Sequence, residues 1–475
     1  MLTAPFPTSQ WIDTPVFRAV GLCADSLCME CYVVGGFVRD LLLDRGTGKD
    51  IDIVVLGDAE KLARAVAKEL KAGPVSVFKN YGTAHIKTRF GEVEFVRARK
   101  ESYTPNSRNP TIEIGTLEED QKRRDFTVNA LAIGLHSAQK GVLLDPFQGI
   151  RDLDHRVLRT PMTPEETFSD DPLRMLRAVR FSAQLEFGLA PDVVEALKHQ
   201  SHRITIISGE RIQDEIGKLL SARKPSIGLA PLFHSGLLHN ILPEVAALAG
   251  IEEMEGQLHK DNFWHTLEVV DNVSLTSDNL WLRWAALLHD IGKPVTKRFV
   301  RGTGWTFHGH EFVGSKMVKK IFRRLHMPLN EKMDFVVKMV QMSSRPIAVV
   351  TDAATDSATR RLLFDAGDTI DDLMKLCEAD ITTKNPSKKR KYLENFQNVR
   401  LRLVEVEEKD RLRQWQPPVD GEQLMAWFQL PPCPEIGLIK TAIREAILDG
   451  KIDNTFDSAK VFAFEKAKSL GLIIP

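Results

Sequence analysis

Two aspartates, Asp50 and Asp52, stand two apart in DIDIVV (50–55), and Glu94 follows Glu92 by the same step in EVEFVRA (92–98). Residues two apart on an extended strand project from one face. Two carboxylates on one face repel each other unless a cation sits between them. Mg²⁺ takes oxygen ligands and combines one or two carboxylates with substrate phosphates. If the two strands are neighbours, Glu94 adds a third carboxylate, a set suited to in-line phosphoryl transfer around divalent ions. Just upstream, VVGGFVRD (33–40) places Gly35 and Gly36 after a strand-like run, where backbone N–H groups can approach an anion. Arg39 adds a guanidinium fork for a phosphate. The spacing matches neither a dinucleotide fingerprint nor a Walker A loop. In KRRDFTVNAL (122–131), Arg123 and Arg124 can meet a triphosphate. Asp125 and Asn129 are four apart, so on a helix they would share a face and could hydrogen-bond a ribose. Taken singly, each motif is also an ordinary one: an acidic surface strand or a basic helix start.

These residues need strands to carry them, and the first 150 residues supply strand-like runs. CYVV (31–34), IDIVV (51–55), AHIKT (84–88), EVEFVRA (92–98) and a run near 130–135 read as strands, and KLARAVAKEL (61–70) reads as an amphipathic helix. After about residue 165 helical periodicity dominates and strand signals fade. The expected fold class is therefore α+β: a small α/β head followed by a long all-α body. A chain of 475 residues exceeds one usual hydrophobic core, so several domains are expected. Lys plus Arg and Asp plus Glu are 64 each, so a nucleic-acid partner must be met by a local basic face. No apolar run is long enough to cross a bilayer. The start, MLTAPFPTSQW, lacks the features of a signal peptide. Five cysteines, an odd number, fit a reducing compartment, and the expected location is the cytoplasm. Cys28 and Cys31 form a CxxC near Cys23, but no second Cys/His pair follows to complete a zinc site.

Taken together and in order, VVGGFVRD, DIDIVV, EVEFVRARKESY and RRDFTVNAL resemble the class II tRNA nucleotidyltransferase family of CCA-adding enzymes and bacterial poly(A) polymerases. The resemblance runs through nearly the whole chain and implies a nucleotidyltransferase-fold head. It also prefers Glu94 over Glu92 as the third carboxylate. In TFSDDPLRMLRAVRF (167–181), the family pattern Glu-Asp-x-x-Arg reads Asp170, Asp171, Pro172, Leu173, Arg174, with Asp in the first place. The matching Asp171 and Arg174, three apart on a helix, would sit side by side. Asp accepts from the exocyclic amine that C and A both carry, and Arg donates to ring acceptors. Such a pair imitates a base-pairing partner and rejects U and G, whose matching edge lacks that donor. The resemblance implies that Arg177 and Arg180, further along the same face, meet the triphosphate. SGERIQDEIGKLL (208–220) resembles the neck-to-body segment, with Glu210 and Arg211 either structural or facing tRNA. The loop SYTPNSRNPTIEIGTLEED (102–120) resembles the family's flexible loop, and FKNYGTAHI (78–86) its CCA-adding version.

The body holds a second constellation. His265 in WHTLEVVDN, His289 and Asp290 in HDIGKP, and Asp380 in CEADITTKNP reproduce the order His, His-Asp, Asp of HD-domain phosphohydrolases. His and Asp ligands from separate helices can converge on a divalent transition metal, which polarises a phosphate and generates hydroxide. Lys293 could assist a phosphate, and His308 and His310 are further ligand candidates. KNPSKKRKY (384–392) reads equally as a solvated helix start or as a contact for an RNA backbone.

The expected organisation is a nucleotidyltransferase head (1–160), a helical neck for nucleotide selection and tRNA binding (161–245), an HD-type all-α domain (246–385) and a C-terminal helical tail (386–475). The expected activity is template-independent addition of C, C and A to the tRNA 3′ end from CTP and ATP. Asp50 and Asp52 would hold Mg²⁺, with Glu94 as the third catalytic carboxylate. Gly35, Gly36, Arg39, Arg124, Asp125, Asn129, Asp171, Arg174, Arg177 and Arg180 would bind the nucleotide. His265, His289, Asp290 and Asp380 would hold a transition metal and give a second, phosphohydrolase activity. Neither DNA nor a membrane is expected as a partner. A poly(A) polymerase or a partial CC- or A-adding enzyme shares the head motifs. An HD phosphohydrolase with an RNA- or nucleotide-binding head is the reading from another class.

Overall fold

A computed structural model describes residues 8–46, 50–78, 82–104, 107–258, 261–349, 356–410 and 417–472. The chain forms two compact units, Met1–Ala246 and Ala247–Pro475. The first is built on a seven-stranded mixed sheet in the order β3-β4-β5-β2-β1-β8-β9. Its strands are β1 (Glu30–Val34), β2 (Asp50–Leu56), β3 (Ser76–Phe78), β4 (Thr83–Thr88), β5 (Gly91–Arg97), β8 (Ala132–Gly134) and β9 (Leu143–Leu144). All five strand-like runs of the sequence lie on this sheet. β2 pairs parallel with β5 and antiparallel with β1. Val33, Ile53, Phe95 and Ile133 are fully buried along these central strands.

The helix Ala59–Glu69 shows why the local sequence folds as it does. Asp58 accepts from the Lys61 N–H at its start, and Leu62, Ala63 and Val66 form its buried stripe. Between head and neck the structure corrects one expectation. The segment expected as a flexible loop forms an antiparallel ribbon, β6 (Arg99–Thr104) with β7 (Ser107–Ile114), followed by the helix Leu117–Lys122. Residues 105–106 of that segment, and 79–81 of FKNYGTAHI, lie outside the described residues. Alternation in TIEI favours the ribbon. It closes at Gly115, where a Cβ would meet the Lys100 backbone N at 2.6 Å. The neck follows within the same unit: the helix Leu173–Leu185 packs on the helices Gly209–Leu220 and Ser226–His234.

The second unit is helical apart from short ribbons such as Arg298–Val300 with Gly304–Thr306, which the fading strand signal does not reveal. Asn262–Thr276, Leu280–Leu288, His310–Arg324, Glu331–Met342 and Ile370–Ala379 are its main early helices. The long helix Pro386–Asp410 comes next. The last three, Gly421–Phe428, Pro434–Leu448 and Phe456–Ser469, share a core of Leu424, Ile439, Ile443, Ala459 and Ala463.

Candidate active site

The strand register brings the head carboxylates together. Asp52 stands directly opposite Glu94, and Asp50 opposite Glu92, across the parallel β2–β5 pair. Burial pushes the Asp52 carboxyl up, Arg124 draws it down and Asp50 pushes it up again, with a net rise. Burial and the Asp52 charge likewise raise Glu94, against His85 and Arg99. Two facing acids that resist ionisation in each other's company fit a divalent cation, which would relieve both effects. Glu92 is different. It pairs with Lys87 at 3.0 Å and His85 at 3.2 Å. Among the described residues, the one group of three such ligand atoms within 4.8 Å of one another lies in the other unit. An open arrangement in the head suits Mg²⁺, which keeps waters and takes substrate phosphates in the remaining positions.

The Gly35–Gly36 turn lies against this cluster. Gly35 leaves β1 with φ +75, donates its N–H to the Leu131 carbonyl and precedes the helix Gly36–Leu42. A Cβ there would meet Arg124 Nη1 at 3.2 Å and Asp52 Oδ2 at 3.8 Å. The backbone therefore passes close to both the carboxylate-bearing face and an arginine, and only glycine adopts this φ without strain. Arg124 is steered by Asp120 through a 3.0 Å contact, and Arg123 is held by Asp120 and Glu101. Asp120 is fully buried, and the two arginines outweigh burial to hold its carboxyl below the usual range. This residue escaped the sequence reading, although its spacing of three and four to the arginines is a signal for it.

A buried polar chain joins the loop to the neck. Arg39 donates to Asn129 Oδ1 at 2.7 Å, and Asn129 Nδ2 donates to Asp125 Oδ1 at 3.0 Å. Asp125 Oδ2 accepts from Arg177 Nε at 2.8 Å and pairs with its Nη2 at 2.5 Å. Burial opposes ionisation of Asp125, but Arg177 and Asn129 outweigh it and bring its pKa down to about 2. Asp125 and Asn129 thus meet as expected, with a different backbone: residues 127–129 form a 3₁₀ turn, not an α-helical face. The Asp125 oxygens expected for a ribose are occupied by Phe126 N–H, Asn129 and Arg177.

The geometry expected of Asp171 and Arg174 also needs correction. Asp171 lies before the helix Leu173–Leu185, in extended conformation, and its Oδ1 accepts from the Leu173 N–H at 3.1 Å. Pro172 is the cause, since the residue before proline is pushed out of the helical region. Asp171 therefore stands ahead of the helix and not on its side-chain face, and the Arg174 N–H donates to the Asp171 carbonyl at 2.9 Å. Arg174 is 7% exposed, and its Nη1 is buried without a hydrogen-bond partner. Further along, Arg180 lies against the Phe181 ring and pairs with Glu215 at 2.6 Å. Glu215 comes from the helix Gly209–Leu220, too far along the chain for any spacing rule to find. Arg211 on that helix is exposed.

In the second unit the HD residues converge. His265 Nδ1 meets Thr382 Oγ1 at 2.8 Å and His289 Nδ1 meets the Ala286 carbonyl at 2.8 Å, so both rings turn Nε2 inward. His265 Nε2 is 2.7 Å from Asp380 Oδ1, and His289 Nε2 is 3.3 Å from Asp290 Oδ2 and 3.5 Å from Asp380 Oδ1. Yet His289 Nε2 and Asp380 Oδ1 are buried without a hydrogen bond of proper geometry. Atoms that crowd in this way are arranged as ligands around a shared centre, which fits a metal. Burial lowers His289, but Asp290 and Asp380 outweigh it and raise it to about 10, while both carboxyls are held well down. Lys293 Nζ reaches Asp290 at 2.6 Å, and His310 Nε2 is 3.6 Å from the same carboxylate. His308 is exposed.

Comparison with known proteins matches these regions. Residues 31–159 match the poly A polymerase head domain family, 186–248 the probable RNA- and SrmB-binding site of polymerase A, and 262–358 the HD domain. A multifunctional CCA protein of Shewanella frigidimarina is 34% identical over 373 residues, covering 74% of this chain and 84% of that one. A CC-adding tRNA nucleotidyltransferase of Thermus thermophilus is 32% identical over 450 residues, covering 91% and 93%. The chain belongs to the family of tRNA nucleotidyltransferases and poly(A) polymerases. The crystal structure of the Bacillus stearothermophilus CCA-adding enzyme in complex with CTP shares the fold, with a TM-score of 0.66 at 23% identity over 96% of this chain and 99% of that one. The family's head and HD domains are metal-dependent, in keeping with the two carboxylate-bearing centres. No helix among the described residues is long and apolar enough to cross a membrane.

Proposed function

We propose that this protein is a template-independent CCA-adding enzyme, which builds the tRNA 3′ end from CTP and ATP. The observation that carries this reading is the register of Asp52 opposite Glu94, beside Gly35 and Arg124. The tRNA 3′-oxygen attacks the α-phosphate of the nucleotide, the new P–O bond forms, and pyrophosphate leaves. A divalent ion, Mg²⁺, held by Asp50 and Asp52 would supply charge neutralisation for this transfer. Glu94 positions the hydroxyl and takes up its proton. Gly35, Gly36, Arg39 and Arg124 hold the triphosphate, and Arg177 and Arg180, expected to meet it as well, are each paired with a carboxylate, Asp125 and Glu215. Asp125 and Asn129 keep Arg39 and Arg177 in place. Asp171 and Arg174 read the base, and the partnerless Arg174 Nη1 supports this role.

The division into head (1–160), neck (161–245), HD domain (246–385) and tail (386–475) belongs to this reading, and the boundary of the two compact units near residue 246 supports part of it. In the HD domain, His265, His289, Asp290 and Asp380 would hold a transition metal, which would supply a phosphohydrolase activity; the inward-facing Nε2 atoms support this. The five free thiols favour the cytoplasm. The test is incubation with tRNA trimmed of its CCA end and each labelled nucleotide. Two C additions followed by one A are expected. Processive A addition would make the protein a poly(A) polymerase. Addition of C alone or A alone would make it a partial enzyme, and no addition would overturn the reading.

A further inference from the structure

The helix Pro386–Asp410 changes character along its length. From residue 396 it carries a buried stripe, Phe396, Val399, Leu403 and Val406. Before that, residues 384–394 are all exposed. The first two turns therefore carry no buried residue. Residues 384–394 hold Lys384, Lys388, Lys389, Arg390 and Lys391, and none of these five cations makes an ion pair among the described residues. Arg400, once the helix meets the body, pairs with Glu378 at 2.7 Å. Asn385 starts the projection by accepting from the Ser387 and Lys388 N–H groups. A short helix segment with no buried residue is marginal in water, and like charges three apart repel. Counter-charge from a partner would relieve that repulsion.

We propose that residues 384–394 dock on the sugar–phosphate backbone of RNA, a contact that rests on the reading of the substrate as tRNA. Cations around a projecting helix suit phosphates spread along a polyanion, whose binding releases counterions. Tyr392, 45% exposed among these cations, offers a ring for an unstacked base. The segment has no broad apolar face of the kind that anchors a helix in a bilayer.

The experiment compares the full-length protein with its Lys388→Gln/Lys389→Gln/Arg390→Gln/Lys391→Gln variant. Affinity for tRNA trimmed of its CCA end is measured over a series of KCl concentrations. Loss of the contacts should make the slope of log affinity against log salt shallower by about 2 to 4 and weaken binding at least about tenfold at 0.1 M salt. The variant should keep the wild-type melting profile and its CTP turnover at saturating tRNA. An unchanged slope and affinity overturn the proposal. So does unchanged tRNA binding with lost binding to phosphatidylserine vesicles, which would assign the surface to a membrane. Wild-type protein that fails to bind tRNA overturns the functional reading itself, whatever the variant does.

Discussion

Asp125→Asn tests whether the buried chain between the phosphate loop and the neck holds the site in shape. The substitution keeps size and removes charge. Asp125 is 7% exposed, and Arg177, Asn129 and Phe126 all donate to it. Its pKa of about 2, against an ordinary 3.8, corresponds to about 2–3 kcal/mol of stability at neutral pH. Loss of one partner of a fully buried pair costs about 3–5 kcal/mol. The Arg177 side chain is 35% exposed, so it can recover some hydration, and the lower figure applies. Because the folded pKa is depressed, the contribution is complete above about pH 4 and disappears as pH falls towards 2. Amide hydrogen exchange in peptides covering 125–135 and 173–185 should accelerate about 30- to 100-fold at pH 7 if opening is local. In urea titrations the gap between wild type and variant should narrow below pH 4. Unchanged exchange, or a gap that ignores pH, would refute the reasoning.

Two further predictions concern the head carboxylates and the HD residues. Glu94→Gln should slow incorporation of CTP and ATP by about 10²- to 10⁴-fold, whereas Glu92→Gln, which only frees Lys87 and His85, should leave turnover within a few-fold; the reverse ranking would move the third carboxylate to Glu92. Metal binding to the metal-free HD site should release about one proton from His289 at pH 8, and its affinity should rise about tenfold per pH unit on approach to pH 10. Without metal, the imidazolium stabilises the fold fully below about pH 6.5 and ceases to do so as pH rises through 10. Calorimetry in buffers of different ionisation heat measures the release, and a heat independent of buffer contradicts it.

Much of the site was legible in sequence because its chemistry is local. Asp50 and Asp52 needed only the two-residue period of a strand, and GGFVRD needed only a turn after one. The pairing of Asp52 with Glu94 needed two strands to be neighbours, which periodicity cannot state and the register supplies. The segment 102–120 reads as a loop because Pro, Asn and Gly outweigh the alternation in TIEI, whereas 99–114 forms a ribbon. Asp171 was placed on a helix because i, i+3 spacing hides the effect of Pro172 on the residue before it. Glu215 was invisible, since its link to Arg180 is tertiary.

The central claim is that Asp50 and Asp52 make the head a nucleotidyl-transfer centre. The most direct measurement compares incorporation of labelled CTP and ATP into trimmed tRNA by the wild type and by Asp50→Ala/Asp52→Ala, with tRNA affinity measured alongside. The double variant should bind tRNA as the wild type does and add neither nucleotide. Retained addition of either nucleotide by the double variant would contradict the account.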